Sequence, residues 1–246
     1  MKRLFEKKEL TFCLMWVGIY IVSFSVFDGI SGDLGIDKLI TASAGAVMAA
    51  GLLLWIWKSG LLRHCGLVRG SFSARTYLWF LPLVLLVSVN FWGGISPKPV
   101  TLETWLFVVS MIAVGFLEEV IFRGFLFRYL YRENRKWAVA ISSITFGVGH
   151  ILNLLAGAEV LPTLLQILYA TSAGFLFTVI FMYSGSLLPC IIAHCALNAL
   201  SIFGAQRSEG LELLSAAVLT VVALLYGLWI CYWERRNNDE GNNCLL

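Results

Sequence analysis

The sequence predicts an all-α, polytopic integral membrane protein of about eight transmembrane helices. Three observations predict it: the scarcity of charge, the spacing of the apolar runs, and the placing of basic residues between those runs. Only 13% of the 246 residues are charged and 59% are hydrophobic, with a mean hydropathy of +0.82. Soluble domains carry about 25% charged residues. Half that share leaves too few charges to hydrate a globule of this size, so lipid must be the solvent. The net charge of +3 is small and offers no footprint for a nucleic-acid partner.

A helix needs about 20 apolar residues to cross roughly 30 Å of hydrocarbon. Runs of that kind fall near 10–27, 39–57, 77–94, 104–127, 137–155, 161–183, 187–204 and 212–233. The first follows Lys2, Arg3, Lys7 and Lys8, as the core of a signal peptide would. It is long for that role and no small-x-small cleavage site comes after it, so a retained helix is expected. The fourth run is interrupted by charges, and the fifth and seventh contain histidine. Pro162 sits near the start of the sixth, where a missing N–H costs least. Ser184-Gly185-Ser186 offers a tight turn into the seventh, whose first turn holds Pro189. Tryptophans 55, 57, 79, 92, 105, 137, 229 and 233 lie at or close to run ends, as an interfacial aromatic belt requires. No stretch resembles a soluble domain or a long linker. The chain, 1–246, is expected to form a single transmembrane domain with its chemistry in a core at about 104–204.

Loop charge tests this topology independently. With the N-terminus in the cytoplasm, the inside segments hold Lys2, Arg3, Lys7, Lys8, Lys58, Arg63, Arg69, Arg75, Arg128, Arg132, Arg135, Lys136, Arg235 and Arg236. The outside loops hold Lys38, Lys98 and Arg207. Fourteen against three is a strong positive-inside bias. It predicts a multi-pass protein of the cell membrane with both termini cytoplasmic. The six cysteines show no CxxC pair and suit small buried hydrophobes better than a disulfide framework. Cys244 stands one place too close to the end for a prenylation box, so no lipid is expected there. His64, in a basic loop, is expected to be solvated.

The costly residues inside the runs are few: Glu118, Glu119, Arg123, His150, His194 and Asn198, with Asn90, Asn153 and Gln166 as milder cases. A charge at a helix centre costs roughly 2.5–3.5 kcal/mol on the insertion scale. Three within six residues must therefore face protein or water and be compensated there. At about 1.5 Å per residue, Glu118 lies about 15 Å deep, His150 about 20 Å, and His194 and Asn198 about 12 and 18 Å. Groups from three separate helices thus share one layer. Glu119 and Arg123 are i and i+4 in the favourable order. Phe146 and His150, and His194 and Asn198, repeat that spacing. Glu118 is about 100° around the helix from the Glu119–Arg123 stripe. Arg123 is therefore expected to neutralise Glu119 and leave Glu118 to do chemistry. A single such histidine, or one Glu–Arg pair, would more often be structural. Six such residues at similar depth are better read as one site.

At these residues the sequence resembles a known family. Phe116-Leu117-Glu118-Glu119-Val120-Ile121-Phe122-Arg123-Gly124 is similar to the EExxxR motif of the CAAX-protease and bacteriocin-processing (CPBP, or Abi) family. Phe146-Gly147-Val148-Gly149-His150 resembles its FxxxH motif, and the stretch from Gly185 through His194 to Asn198 its HxxxN motif. Each pattern alone is weak, but all three in order on the fourth, fifth and seventh runs are specific. The resemblance covers about 90 residues; the first three runs and the last resemble the family only in being hydrophobic. It implies a glutamate-dependent intramembrane endopeptidase acting on a membrane-associated peptide or protein. Glu118 would activate water with help from His150, while His194 and Asn198 would stabilise the oxyanion. A carboxylate withdrawn from water is a better base, and an imidazole and a carboxamide are suitable oxyanion donors. No cofactor is favoured. Glu118, His150 and His194 would also supply the ligand types of an open Zn²⁺ site, which the sequence leaves open. Membrane lipid and the substrate are the expected partners. Two other classes compete: a catalytically silent membrane binding or immunity protein, and a transporter. The first would be signalled by loss of a motif residue, and none is lost. The second usually shows repeated halves with broken helices in both, whereas these ionisable groups lie only in the fourth, fifth and seventh runs.

Overall fold

The computed structural model describes residues 1–70, 77–155 and 157–243, with side chains as far as residue 236. Arg75 and Cys244, which figured in the charge and lipid arguments, lie outside the described residues. Each of the eight apolar runs is helical. After a short N-terminal helix α1 (Lys2–Lys7) come α2 (Glu9–Asp33), α3 (Leu39–Lys58) and α4 (Leu81–Ser88), the last continued by a 3₁₀ turn, Val89–Phe91. The fourth run is α5 (Leu102–Glu119), a π-helical stretch Val120–Phe127, and α6 (Arg128–Glu133) in one unbroken rod. Then follow α7 (Arg135–Gly149) with a 3₁₀ extension His150–Leu154, α8 (Val160–Ser184), α9 (Leu188–Leu200) with a 3₁₀ turn Ser201–Phe203, and α10 (Glu209–Asn243). Among the described residues the only strand-like pairing is one bridge between Ile95 and Gly204.

Local chemistry sets these boundaries. Thr101 opens α5 with a reciprocal capping box to Thr104, and the Asn134 side chain accepts from the backbone N–H groups of Lys136 and Trp137 to open α7. Gly185, at φ +69°, closes α8 in the left-handed conformation that an L side chain resists. Pro82 and Pro189 stand in the first turns of α4 and α9.

Six helices are long and apolar enough to cross a membrane: 9–33, 39–58, 102–133, 135–154, 160–184 and 209–236. The third and seventh runs are shorter, Leu81–Phe91 and Leu188–Phe203. The protein is a multi-pass membrane protein. Its loops gather at two ends. At one, Arg132 pairs with Glu9, Arg135 bonds Tyr183, the Ser186 hydroxyl donates to Val68 O at 2.9 Å, and Leu187 N donates to Gly66 O at 2.8 Å. At the other, Lys38 pairs with Asp28 at 2.8 Å, Ser96 N donates to Phe203 O at 2.8 Å, and Ala205 N to Gly94 O at 2.9 Å. The chain alternates between these ends run by run, and the basic loops collect at the first.

Two local expectations change. The EExxxR segment is not a regular α-helix: from Val120 onward it belongs to a π-helical stretch, Val120–Phe127, all of it buried. A π turn misdirects carbonyls, and here the Ser142 hydroxyl of α7 donates to Phe122 O at 3.1 Å. His64 is not simply solvated. It is half-buried with its ring edge-on to Phe5, 5.4 Å between centroids, and Nε2 lies 3.8 Å from Glu9. That burial lowers its pKa from the ordinary histidine value. The described cysteines are all free as expected, but only Cys13, Cys65 and Cys190 are buried, while Cys195 and Cys231 are partly exposed.

Without water to drive helices together, close packing and small residues must do so. A Cβ on Gly147 of α7 would stand 1.9 Å from the Thr171 hydroxyl and 2.8 Å from Ile167 O of α8. Gly147→Val is expected to separate α7 from α8 and destabilise the protein by about 1–3 kcal/mol or more. Thermal unfolding in detergent measures it, and an unchanged transition would show that this contact does not matter.

Candidate active site

Near mid-length of the fourth rod, α5 delivers Glu118 and Glu119 and the π stretch delivers Arg123. Glu119 and Arg123 are both 0% exposed, His194 of α9 is 4% and Glu118 8%. Arg123 Nη1 donates to Glu119 Oε1 at 3.1 Å, and His194 Nδ1 lies 2.9 Å from that same oxygen. A carboxylate facing a guanidinium only accepts, so His194 Nδ1 carries the proton of that bond. The three side chains form one buried chain.

Aromatic and small residues complete its housing. The Arg123 guanidinium lies 4.0 Å from the Phe146 ring centroid and 5.8 Å from that of Phe177, which supplies cation–π attraction where water is excluded. Phe146 also meets the rings of His150 and His194 edge-on, at 5.8 and 5.6 Å. A Cβ on Gly174 of α8 would come within 2.8 Å of Arg123 Nη2 and 3.1 Å of Phe146 Cδ1. Glycine at 174 is thus the room in which the guanidinium sits.

Glu118 is held differently. Its Oε1 accepts a hydrogen bond of 2.6 Å from the Tyr20 hydroxyl of α2. Its Oε2 is buried, has no hydrogen-bond partner among the described residues, and lies 3.4 Å from His194 Nε2 without bonding alignment. Glu118, His150, His194 and Asn198 line one cavity of about 510 Å³, together with Tyr20 and Phe146. The side chains of His150 and Asn198 form no hydrogen bond among the described residues. His150 stands where α7 gives way to its 3₁₀ extension. The cavity runs on past Asn90, Gln166 and Asn153 to Arg207 and Glu212, toward the end of the bundle opposite the basic loops. Asn153 donates to Gln166 at 2.9 Å, and Asn90 to Leu197 O at 2.7 Å.

All six expected residues therefore meet around one buried centre. Four are in direct contact and two face the same cavity. Tyr20, Gly174 and Phe177 were not read from the sequence. A tyrosine at the middle of the first run, rather than at its watery end, was the one signal available for Tyr20. Glu118 Oε2 and His194 Nε2 have a separation that two ligands of one ion could have, yet among the described residues no three His, Cys, Asp or Glu side chains converge to hold a metal.

Residues 100–200 match a family model described as type II CAAX prenyl endopeptidase Rce1-like. Over this segment the chain is similar to the CPBP, or CAAX-protease, family. The match spans the fourth to the seventh runs as far as residue 200, three of which carry the motifs. No curated protein and no solved structure matches the chain. The CAAX-protease motifs now have physical content: EExxxR supplies both carboxylates and the guanidinium, the phenylalanine of FxxxH stacks on that guanidinium, and the histidine of HxxxN joins the carboxylates.

The buried chain predicts unequal consequences for the two glutamates. Arg123→Ala leaves Glu119 charged and buried without its guanidinium, and is expected to cost roughly 3–5 kcal/mol of stability. Glu118→Gln keeps shape and can still accept from Tyr20, so its unfolding transition in detergent should stay within about 1 kcal/mol of the parent. Equal losses in the two variants would contradict this division of labour.

Proposed function

We propose that the protein is a metal-independent intramembrane endopeptidase that hydrolyses a peptide bond of a membrane-associated substrate with water activated by Glu118. The observation that carries this reading is the state of that carboxylate. One oxygen is fixed by Tyr20, while the other is buried without a hydrogen-bond partner, 3.4 Å from His194 Nε2, and Glu118 lines a cavity together with His150, His194 and Asn198. In the proposed reaction a water beside Glu118 Oε2 gives up its proton to that oxygen and attacks the scissile carbonyl. His150 orients the water. Asn198 donates to the oxyanion as it forms, as does His194 from Nε2 in its imidazolium form with Nδ1 kept on Glu119, and the proton held by Glu118 passes to the leaving amine. Glu119 and Arg123 touch no reacting atom in this scheme and hold His194 in place.

The cavity's course supports entry of the peptide from the end opposite the basic loops, past Arg207 and Glu212. With those loops in the cytoplasm of a cell-membrane protein, both termini are cytoplasmic and the scissile bond arrives from the other face. Cysteine labelling tests the sidedness: a reporter at Glu133 should react only from the cytoplasm and one at Glu159 only from outside. The same side for both would sink this topology.

Activity is tested on purified protein in detergent with an internally quenched peptide ending in a farnesylated Cys-aliphatic-aliphatic-X sequence. Glu118→Gln is expected to abolish cleavage. Asn198→Ala should slow turnover by roughly 100-fold or more, the usual effect of losing one oxyanion donor. A strong chelator should have little effect. Full activity in Glu118→Gln would remove the assigned base. One stoichiometric zinc in active protein, with activity lost on chelation and restored by zinc, would overturn the metal-independent mechanism.

A further inference from the structure

We infer that Tyr20, on the first long helix and outside the segment that matches the family model, is a positioning residue for the catalytic carboxylate. This rests on the assignment of Glu118 as the base.

The two oxygens of Glu118 are not equivalent. Oε1 accepts from the Tyr20 hydroxyl at 2.6 Å, across 98 residues of sequence, while Oε2 has no partner and faces His194 Nε2 at 3.4 Å. A carboxylate on a glutamate side chain has a broad, roughly two-fold terminal torsion. Left alone it would sample orientations in which neither oxygen points at the reacting water. A charge-assisted bond of this length fixes that torsion and decides which lone pairs remain for the proton. Tyr20 is itself held, its ring 4.9 Å from that of Phe24. It also lines the cavity beside Glu118. The hydroxyl thus does for Glu118 what Arg123 does for Glu119, but as a neutral donor. It orients the carboxylate without pairing its charge. One consequence is that α2, which shares no motif with the family, becomes part of the active site.

Tyr20→Phe removes one hydroxyl and keeps the ring packed on Phe24. With the farnesylated peptide it should lower kcat by roughly 10-fold or more and leave KM within about two-fold, since a positioning defect acts on the transition state alone. A readout independent of turnover is the infrared carboxylate band that Glu118→Gln removes, which should shift in Tyr20→Phe. If the parent protein cuts no peptide, the peptidase reading fails, and the infrared shift still decides whether Tyr20 holds Glu118. If the parent is active and Tyr20→Phe matches it in kcat, loses activity only in proportion to folded protein, or changes KM alone, the inference is overturned.

Discussion

The arrangement depends on burying a guanidinium in a bundle of apolar helices. Arg123 is wholly enclosed, and a charge stripped of water is tolerated only where the surroundings replace its hydration. Here Glu119 replaces part of it with an ion pair, and the faces of Phe146 and Phe177 replace another part. Gly174 leaves the volume. These contributions come from α5, α7 and α8 in turn, so the charge draws together the helices that carry the site. His194 joins through Glu119 and brings α9. Removing any one member strands the others, which explains why a cluster so expensive to insert persists as a unit.

Two adjacent carboxylates acquire different characters from this arrangement. Glu119 meets a guanidinium and an imidazole on one oxygen, whereas Glu118 meets a neutral hydroxyl on one and, on the other, the His194 ring at 3.4 Å without a hydrogen bond. Neighbouring positions on a helix point in different directions, so a pair of identical side chains can be split between anchoring and chemistry. The π stretch that begins at Val120 continues this separation. It lies where functional sites often place such turns, and the Ser142 hydroxyl meets the carbonyl of Phe122 within it.

Much of this was legible in the sequence. The apolar runs and basic loops gave the alternation of the chain, and the depth of Glu118, Glu119, Arg123, His150, His194 and Asn198 pointed to one centre. Their motif spacing was legible because i, i+4 partners share a helix face. What stayed hidden depends on contacts between runs far apart in sequence. Tyr20 reads as one more aromatic residue until α2 packs beside α5. Gly174 reads as a tolerated glycine until Arg123 is placed against it. The π turn leaves no mark on hydrophobic periodicity over eight wholly apolar or buried positions. His64 was misjudged for a related reason: loop charge forecasts exposure, but Phe5 and Glu9 fold back to cover it.

The short third and seventh runs have a consequence for the bilayer itself. Leu81–Phe91 and Leu188–Phe203 rise about 16 and 24 Å at 1.5 Å per residue, below the roughly 30 Å of a hydrocarbon core. They pack against one another, so their deficits fall on the same flank of the molecule, and both contribute residues to the cavity. Acyl chains abutting that flank must compress or tilt to avoid exposing methylenes to water. A hydrocarbon layer fitted to that flank would be thinner beside the site than elsewhere and would shorten the apolar path to Glu118.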